Sequence, residues 1–294
     1  MGRAPELQTI EACAWRLVEQ GEGGIVVILG EAGLGQSRLV AEAKSFAVGS
    51  LSNVLWLEGQ TLSLGQTISY WPFQQILRGW AGISEEDDAE ATWTKLETHV
   101  RAVFADETID YLPYLASLLA LDVREPYAER VKYLDGDAMG KQIFLSTRRF
   151  IERLARAQPT LLVFEDLHWM DESSTLLLEH LLPLVETVPL VIFGLSRPER
   201  DTPAAKLREL CARDFANYYT EIRLAPLSET DSAQLIDNLL DVENLPPRLR
   251  DLMVGKAEGN PFFLEEIIRT LMEAGALVRH RQKRQKTCFP EISE

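Results

Sequence analysis

A stretch near the N-terminus, residues 24–40, constrains the fold of this chain more than any other. Residues 24–29 form an uninterrupted aliphatic run, which is typical of a strand buried in a parallel sheet. A glycine-rich loop occupies residues 30–35, and residues 36–43 then have the composition of a helix. A strand, a glycine-rich loop and a helix in this order predict a loop whose backbone N–H groups bind phosphate.

The loop and the start of the helix supply the predicted nucleotide contacts. Glycine permits a left-handed backbone and the close approach of an anion, and the helix adds its free N–H groups and positive dipole end. Ser37 stands where a hydroxyl would meet a Mg²⁺ ion. The predicted nucleotide-binding residues here are Gly30, Glu31, Ala32, Gly33, Leu34, Gly35, Gln36, Ser37 and Arg38.

One residue departs from the pattern G-x-x-x-x-G-K-[ST], because Gln36 stands at the lysine position. That lysine is the point charge that reaches the β- and γ-phosphates. A charge-assisted hydrogen bond contributes roughly 1.5–3 kcal/mol and a neutral one about 0.5–1.5 kcal/mol, so we expect nucleotide binding to survive in weakened form. Hydrolysis should suffer more, since losing one preorganised donor to a transition state slows reactions by roughly 10²–10³. Arg38 faces elsewhere on the helix and Lys44 lies about 12 Å further along it, so neither is expected to replace the lysine.

A second motif follows another apolar run, residues 160–164, which ends in the acidic pair Glu165 and Asp166. In phosphate-loop enzymes one such carboxylate holds the water shell of Mg²⁺, and another can polarise the attacking water. We assign Glu165 to the metal and Asp166 to water activation, with the reverse assignment left open. His168 is a candidate base, although packing is the commoner role for such a loop histidine.

A third apolar run, residues 189–195, leads into Ser196 and Arg197. Ligands of open α/β sheets bind outside the carboxyl ends of the strands. Arg197 is therefore placed to sense a γ-phosphate, and a surface arginine before a proline turn is the equally weighted alternative. Together with Glu165 and Asp166, Arg197 completes the predicted catalytic set.

The remaining patterns predict helices around this sheet and two further strands, at residues 53–58 and 217–224. We predict an α/β fold, namely a parallel P-loop NTPase sheet with a helical insertion, followed by a small helical lid domain. The ATPase domain would span residues 1–227, with the insertion at about 60–155 broken at Pro113 and Pro126. The lid would span 228–278. Predicted helices lie at residues 7–20, 70–80, 144–157, 176–182, 232–240, 247–256 and 261–274.

Composition narrows the class of protein. The net charge of −15 argues against a broad basic surface for nucleic acid, although one basic cluster lies at residues 279–286. No apolar run approaches the roughly 20 residues of a membrane span, and the N-terminus is not a signal peptide. The three scattered cysteines fit a reducing compartment. These features predict a cytoplasmic protein with no membrane partner and no direct nucleic-acid binding by this segment.

The motifs together resemble the STAND class of signal-transducing P-loop ATPases. The similarity is greatest to the ATPase modules of large multidomain regulators, either LuxR-type or associated with nucleotide cyclase domains. A degraded Gly-Arg-Glu motif at residues 2–7 and a segment at 65–72 also look like family features. The four motifs that carry the resemblance are residues 30–39, 162–171, 194–199 and 259–266.

The resemblance implies further roles and partners. Arg3 would lie near the nucleotide, Arg197 would be the sensor arginine, and Pro261 would lie against the adenine or ribose. Such modules are switches in which ADP holds a closed state and ATP permits opening and homo-oligomerisation. A winged-helix domain normally follows the lid, so residues 279–294 are interpreted as its start and the chain as part of a longer protein with downstream domains.

The sequence thus predicts a regulatory module that binds ATP or ADP with Mg²⁺ and hydrolyses weakly or not at all. Gln36 is the principal departure from the family, and its origin stays open. The pair Glu165-Asp166 also replaces the Asp-Asp pair that is frequent in the family. Two alternatives remain: a nucleotide-free interaction scaffold, and a regulator fragment that binds nucleic acid through the basic cluster.

Overall fold

The computed structural model describes residues 2–51, 53–61, 68–240 and 245–274. The described residues form two compact units. The larger contains those within 3–32 and 36–224, and the smaller contains residue 2, residues 33–35 and those within 225–274. The predicted tail at 279–294, its basic cluster and part of the segment at 65–72 lie outside the described residues.

The larger unit is built on a parallel five-stranded sheet in the order β2-β3-β4-β1-β5. The central strands are uninterrupted apolar runs because both of their faces are covered. Leu29 pairs in register with Ser196, and Gln60 pairs with Glu165, so the carboxyl ends of neighbouring strands lie at one edge. The predicted α/β fold with a parallel P-loop sheet is confirmed. The strands are β1 Gly24–Leu29, β2 Leu55–Gln60, β3 Thr160–Glu165, β4 Leu190–Ser196 and β5 Tyr219–Arg223.

Several helices of the larger unit begin at a residue whose side chain caps the first turn. Asp171 caps its helix, since its carboxylate accepts a hydrogen bond from the Ser174 N–H at 2.9 Å. Asp88, Asp135 and Thr202 cap other helices in the same way. The helices are α1 Ala4–Gln20, α2 Gln36–Ser50, α3 Trp71–Trp80, α4 Ala89–Phe104, α5 Thr108–Leu118, α6 Gly136–Ala157, α7 Glu172–Leu181 and α8 Pro203–Asp214.

One apolar core joins the sheet to helices α3 to α6. Phe164 on β3 is fully buried, and its ring centroid lies 5.2 Å from that of Phe73 on α3. Phe150 on α6 is also buried and packs edge-on against Trp80 at 4.7 Å. The residues between β2 and β3 therefore extend the core of the sheet rather than forming a separate one.

Two predictions about this region need correction. Pro113 was expected to break a helix, but it lies inside α5. Most of α5 around it is buried, and this packing outweighs the roughly 3 kcal/mol cost of an interior proline. The helix expected from residue 144 begins at Gly136, because Asp135 provides a cap that accepts from the Ala138 N–H.

The smaller unit contains α9 Glu229–Leu240, α10 Pro247–Ala257 and α11 Pro261–Glu273. A separate core holds the three helices together and includes Ile236, Met253 and Leu264. Asn260 caps α11 through its side chain, and Pro261 is the first helical residue, which agrees with the predicted start of this helix. None of the described helices is long and apolar enough to cross a bilayer.

Candidate functional site

The glycine-rich loop between β1 and α2 has the backbone conformation that a phosphate loop needs. Gly33 and Gly35 have φ values of 83° and 91°, a region that side chains rarely adopt. A Cβ atom added at Gly35 would meet nothing closer than the Pro261 Cγ at 4.0 Å. Helix α2 begins at Gln36 with no acidic residue in its first turn, so its free N–H groups and dipole favour an anion.

The structure brings Ser37 and Glu165 together. The Ser37 hydroxyl on α2 donates to the Glu165 Oε2 at the end of β3, at 3.1 Å. Across the described residues no group of three His, Cys, Asp or Glu side chains could hold a metal by itself. Mg²⁺ commonly takes one or two carboxylates and completes its octahedron with water and substrate phosphates. A single carboxylate, together with a hydroxyl on the helix that follows the glycine-rich loop in the chain, fits that requirement.

The pKa of the Glu165 carboxyl group lies above its ordinary value. Burial raises its pKa, the hydrogen bond from Ser37 opposes this shift, and the charges of Asp166 and Glu58 raise the pKa further. A half-buried carboxylate with acidic neighbours is a position where a cation would relieve both desolvation and repulsion.

Asp166 follows β3 in a left-handed conformation, with φ 58° and ψ 40°. Aspartate adopts this region more readily than most residues other than glycine, but the conformation still costs on the order of 1–3 kcal/mol, which neighbouring contacts can offset. Thr61, which follows β2, supplies them. Its N–H and hydroxyl both donate to the Glu165 carbonyl at 3.1 Å, and its hydroxyl also contacts the Asp166 carbonyl.

Thr61 was not identified from the sequence. Its only signal was its place at the end of the strand that pairs with β3, and that pairing requires the topology. It is 3% exposed, so its hydroxyl is shielded from competing water. We therefore assign Thr61 to holding the backbone of the acidic pair.

A Thr61→Val variant should lower the free energy of unfolding by about 1–3 kcal/mol, because the buried carbonyls of Glu165 and Asp166 lose a donor. It should also weaken Mg²⁺-dependent nucleotide binding, since Asp166 is released from its left-handed conformation. Denaturant titration and calorimetry measure the two effects. Thr61→Ser keeps the hydroxyl and is expected to restore both. Equal behaviour of the Val variant and the parent would contradict the assignment.

Gln36 does not lie as expected for a phosphate ligand. Its Nε2 donates to the Ile28 carbonyl of β1 and to the Ser196 carbonyl of β4, each at 2.9 Å. The sequence had suggested that this amide could donate to phosphate. Both of its N–H protons are instead directed at the carboxyl ends of two strands.

The basic residues near the loop are differently placed. Arg38 is exposed and pairs with Glu42 at 3.2 Å, and Lys44 pairs with Glu58 on β2 at 2.8 Å. These contacts agree with the expectation that neither replaces the missing lysine. Arg197 comes directly after β4 and is half-buried.

Three other predicted or candidate residues have defined positions. Arg3 is the N-cap residue of α1 and pairs with Glu6 at 3.3 Å. Pro261 opens α11 in the smaller unit. His168 is 5% exposed, and its two ring nitrogens have no hydrogen-bond partner among the described residues. Burial lowers the pKa of His168, and the charge of Asp166 opposes that shift. A buried neutral imidazole fits packing better than base catalysis.

Comparison with protein families gives two matches. A family model described as an AAA ATPase domain matches residues 1–193. A second model, described as a domain of unknown function, matches residues 228–278. The P-loop ATPase module that the motifs predicted is thereby confirmed.

Curated relatives are distant and much longer. The chain is 25% identical over 273 residues to an uncharacterized protein of Rhizobium meliloti (strain 1021), a match that covers 91% of this chain and 24% of that protein. It is 20% identical over 278 residues to adenylate cyclase type 10 of Oryctolagus cuniculus, which covers 95% of this chain and 16% of the cyclase. The chain thus spans no more than 24% of either relative.

Two solved structures that match the chain do so at low scores. The ORC2 protein of Aeropyrum pernix matches with a TM-score of 0.46 and 10% identity, covering 93% of this chain and 63% of that chain. A STAND protein with a tetratricopeptide repeat sensor from Pyrococcus horikoshii matches with a TM-score of 0.39 and 16% identity. This match covers 90% of this chain and 29% of that chain. No function is transferred from these similarities.

Proposed function

Because the chain belongs to the AAA ATPase domain family, we propose that it is an adenine-nucleotide-binding regulatory module that hydrolyses ATP slowly or not at all. The contact between Ser37 and Glu165 at the carboxyl edge of the sheet carries the proposal. This contact joins a hydroxyl to a carboxylate, and in the chain the hydroxyl follows a loop whose glycines have the left-handed backbone that a phosphate cradle needs.

In this proposal each residue of the site has a separate role in nucleotide binding or hydrolysis. Backbone N–H groups of the loop and the start of α2 bind the phosphates, and Ser37 and Glu165 hold Mg²⁺. Mg²⁺ supplies neutralisation of phosphate charge when bound. Asp166 orients and polarises the attacking water, and Arg197 contacts the γ-phosphate. Gln36 brings no positive charge, so transition-state stabilisation is deficient, while ground-state binding survives in weakened form.

The regulatory part of the proposal rests on the resemblance to STAND modules and on the matched relatives. A protein that binds two nucleotides with different affinity in two conformations is a switch, because each nucleotide shifts the equilibrium by its differential affinity. We propose that this chain serves a longer protein in that way, with nucleotide-dependent self-association. The similarity to part of a cyclase supports a signalling role.

The first experiment is to denature the purified protein and identify any released nucleotide by chromatography. Released ADP or ATP, together with a rise in melting temperature on adding Mg²⁺ and nucleotide, would support the proposal. A Ser37→Ala variant serves as the control, and it should lose most of the Mg²⁺-dependent part of the shift. An empty protein whose melting temperature does not respond would favour the scaffold alternative.

Mg²⁺ binding should depend on pH through Glu165. The raised pKa means that the folded state binds more protons than the unfolded state between the ordinary glutamate value of about 4.3 and the raised value. The metal-free protein should therefore lose stability as the pH rises through that window. Mg²⁺ should restore stability there, because it binds the ionised carboxylate and displaces the proton.

Melting temperatures measured from pH 4.5 upward, with and without Mg²⁺ and ADP, test this coupling. The stabilisation by Mg²⁺ should grow as the pH rises and Glu165 ionises. In Glu165→Gln the growth should be much smaller. A Mg²⁺ effect that is independent of pH in the parent protein would contradict the role of Glu165.

A further inference from the structure

The side-chain amide of Gln36 has no donor left for a ligand. Its two partners, the Ile28 and Ser196 carbonyl oxygens, can only accept, so the nitrogen must be the atom that faces them. An amide nitrogen carries two protons, and each is directed at one of these carbonyls. The remaining polar atom of the side chain is an oxygen, which cannot donate to a phosphate.

The surroundings of Gln36 keep the amide in this place. The Ser196 carbonyl also accepts from the Gly30 N–H at 3.2 Å, which joins the start of the loop to the end of β4. A Cβ atom added at Gly30 would lie 3.4 Å from the Gln36 Cγ and Cδ, so the side chain packs against the loop backbone. To reach a phosphate, the amide would have to leave two strand-end carbonyls and this packed position.

No other basic residue of α2 compensates. Lys44 is held on β2 by both carboxylate oxygens of Glu58, at 2.8 and 2.9 Å, and Arg38 is held by Glu42. Glu165 and Asp166, by contrast, add negative charge at the end of β3. The described part of the loop and of α2 therefore offers phosphate its backbone N–H groups and the Ser37 hydroxyl, but no free cationic side chain.

The lack of a cationic side chain affects the binding of ADP and of ATP to different extents. Backbone N–H groups of such loops cradle the α- and β-phosphates, which ADP and ATP share, whereas the lysine of the pattern reaches the β- and γ-phosphates. We infer that Gln36 is a positioning residue that ties the loop to β1 and β4, and that the site in consequence selects the nucleoside diphosphate over the triphosphate. The inference rests on the proposed function and specifies its ligand.

Calorimetric titration of the nucleotide-free protein with ADP and with ATP, each with Mg²⁺, measures the selectivity. A charged hydrogen bond that the parent lacks is worth about tenfold in affinity, and Arg197 is present in both proteins, so we expect the preference for ADP over ATP to be roughly tenfold greater in the parent than in Gln36→Lys. In Gln36→Lys the ratio of the ADP affinity to the ATP affinity should approach one, because the affinity for ATP increases more than the affinity for ADP. A parent protein that binds ATP as tightly as ADP would overturn the inference, as would a Lys variant that tightens both equally.

Gln36→Met separates the positioning role from the charge. It keeps a similar length but removes both hydrogen bonds to the strands, so it should lower the melting temperature. It should also weaken the binding of ADP and of ATP by the same factor, so the ratio of the two affinities should not change. An altered ratio in this variant would contradict the positioning role. Absence of any binding to the parent protein would instead reject the proposed function itself.

Discussion

ATP hydrolysis should rise by roughly 10²–10³ when Gln36 is replaced by lysine, because the variant gains a charged donor to the transferring phosphoryl group. Two contacts that the proposed hydrolytic site would use are present in the described structure. Ser37 contacts Glu165, and Asp166 is held by Thr61. The lysine would replace an amide that now donates only to strand ends.

Single-turnover hydrolysis by the parent and Gln36→Lys proteins measures this effect without interference from product release. The matched control is Asp166→Asn in the lysine variant, which keeps the positive charge of the lysine but removes the carboxylate that we propose polarises the attacking water. We expect the control to lose most of the gain, while its binding of ADP with Mg²⁺ changes little. If Gln36→Lys folds, binds ATP and still hydrolyses no faster, Gln36 is not what limits the reaction.

Much of the fold could be predicted from the sequence because its signals are local. An aliphatic run such as Gly24–Leu29 can be buried only as a central strand or a core helix, and the glycine-rich loop after it decides for the strand. The sequence signals for the cap at Asp171 and for the turn before Pro261 likewise lie within a few neighbouring residues. Pro113 was misjudged because packing of the surrounding helix, a non-local effect, decided its conformation.

The site could be predicted less completely, for the same physical reason. The motifs predict Ser37, Glu165 and Asp166 as site residues, but the direction of a side chain depends on strand order. Gln36 faces the Ser196 carbonyl only because β4 lies beside β1, and these strands are far apart in sequence. Thr61 contacts the acidic pair only because β2 lies beside β3. Neither adjacency has a local signal.

Phe164→Ala should destabilise the larger unit by about 3–5 kcal/mol, which corresponds to a fall of roughly 10 °C in its melting temperature. Phe164 is fully buried, and its ring contacts Phe73 of α3 at a centroid distance of 5.2 Å. The truncation would leave a cavity where the sheet meets the helices that follow β2. It also lies next to Glu165 in the chain, so loosening the end of β3 should weaken Mg²⁺-dependent nucleotide binding as well.

Phe263→Ala is the matched control, since Phe263 is 54% exposed and the same atoms are removed. Its melting temperature should stay within a few degrees of the parent value. Calorimetry of both variants, with and without Mg²⁺ and ADP, separates loss of packing from loss of the site. If Phe164→Ala loses stability but its ADP affinity stays at the parent value, the acidic pair is held by Thr61 and the strand ends alone. If both fall together, the packing between β3 and α3 is part of what positions Glu165 and Asp166.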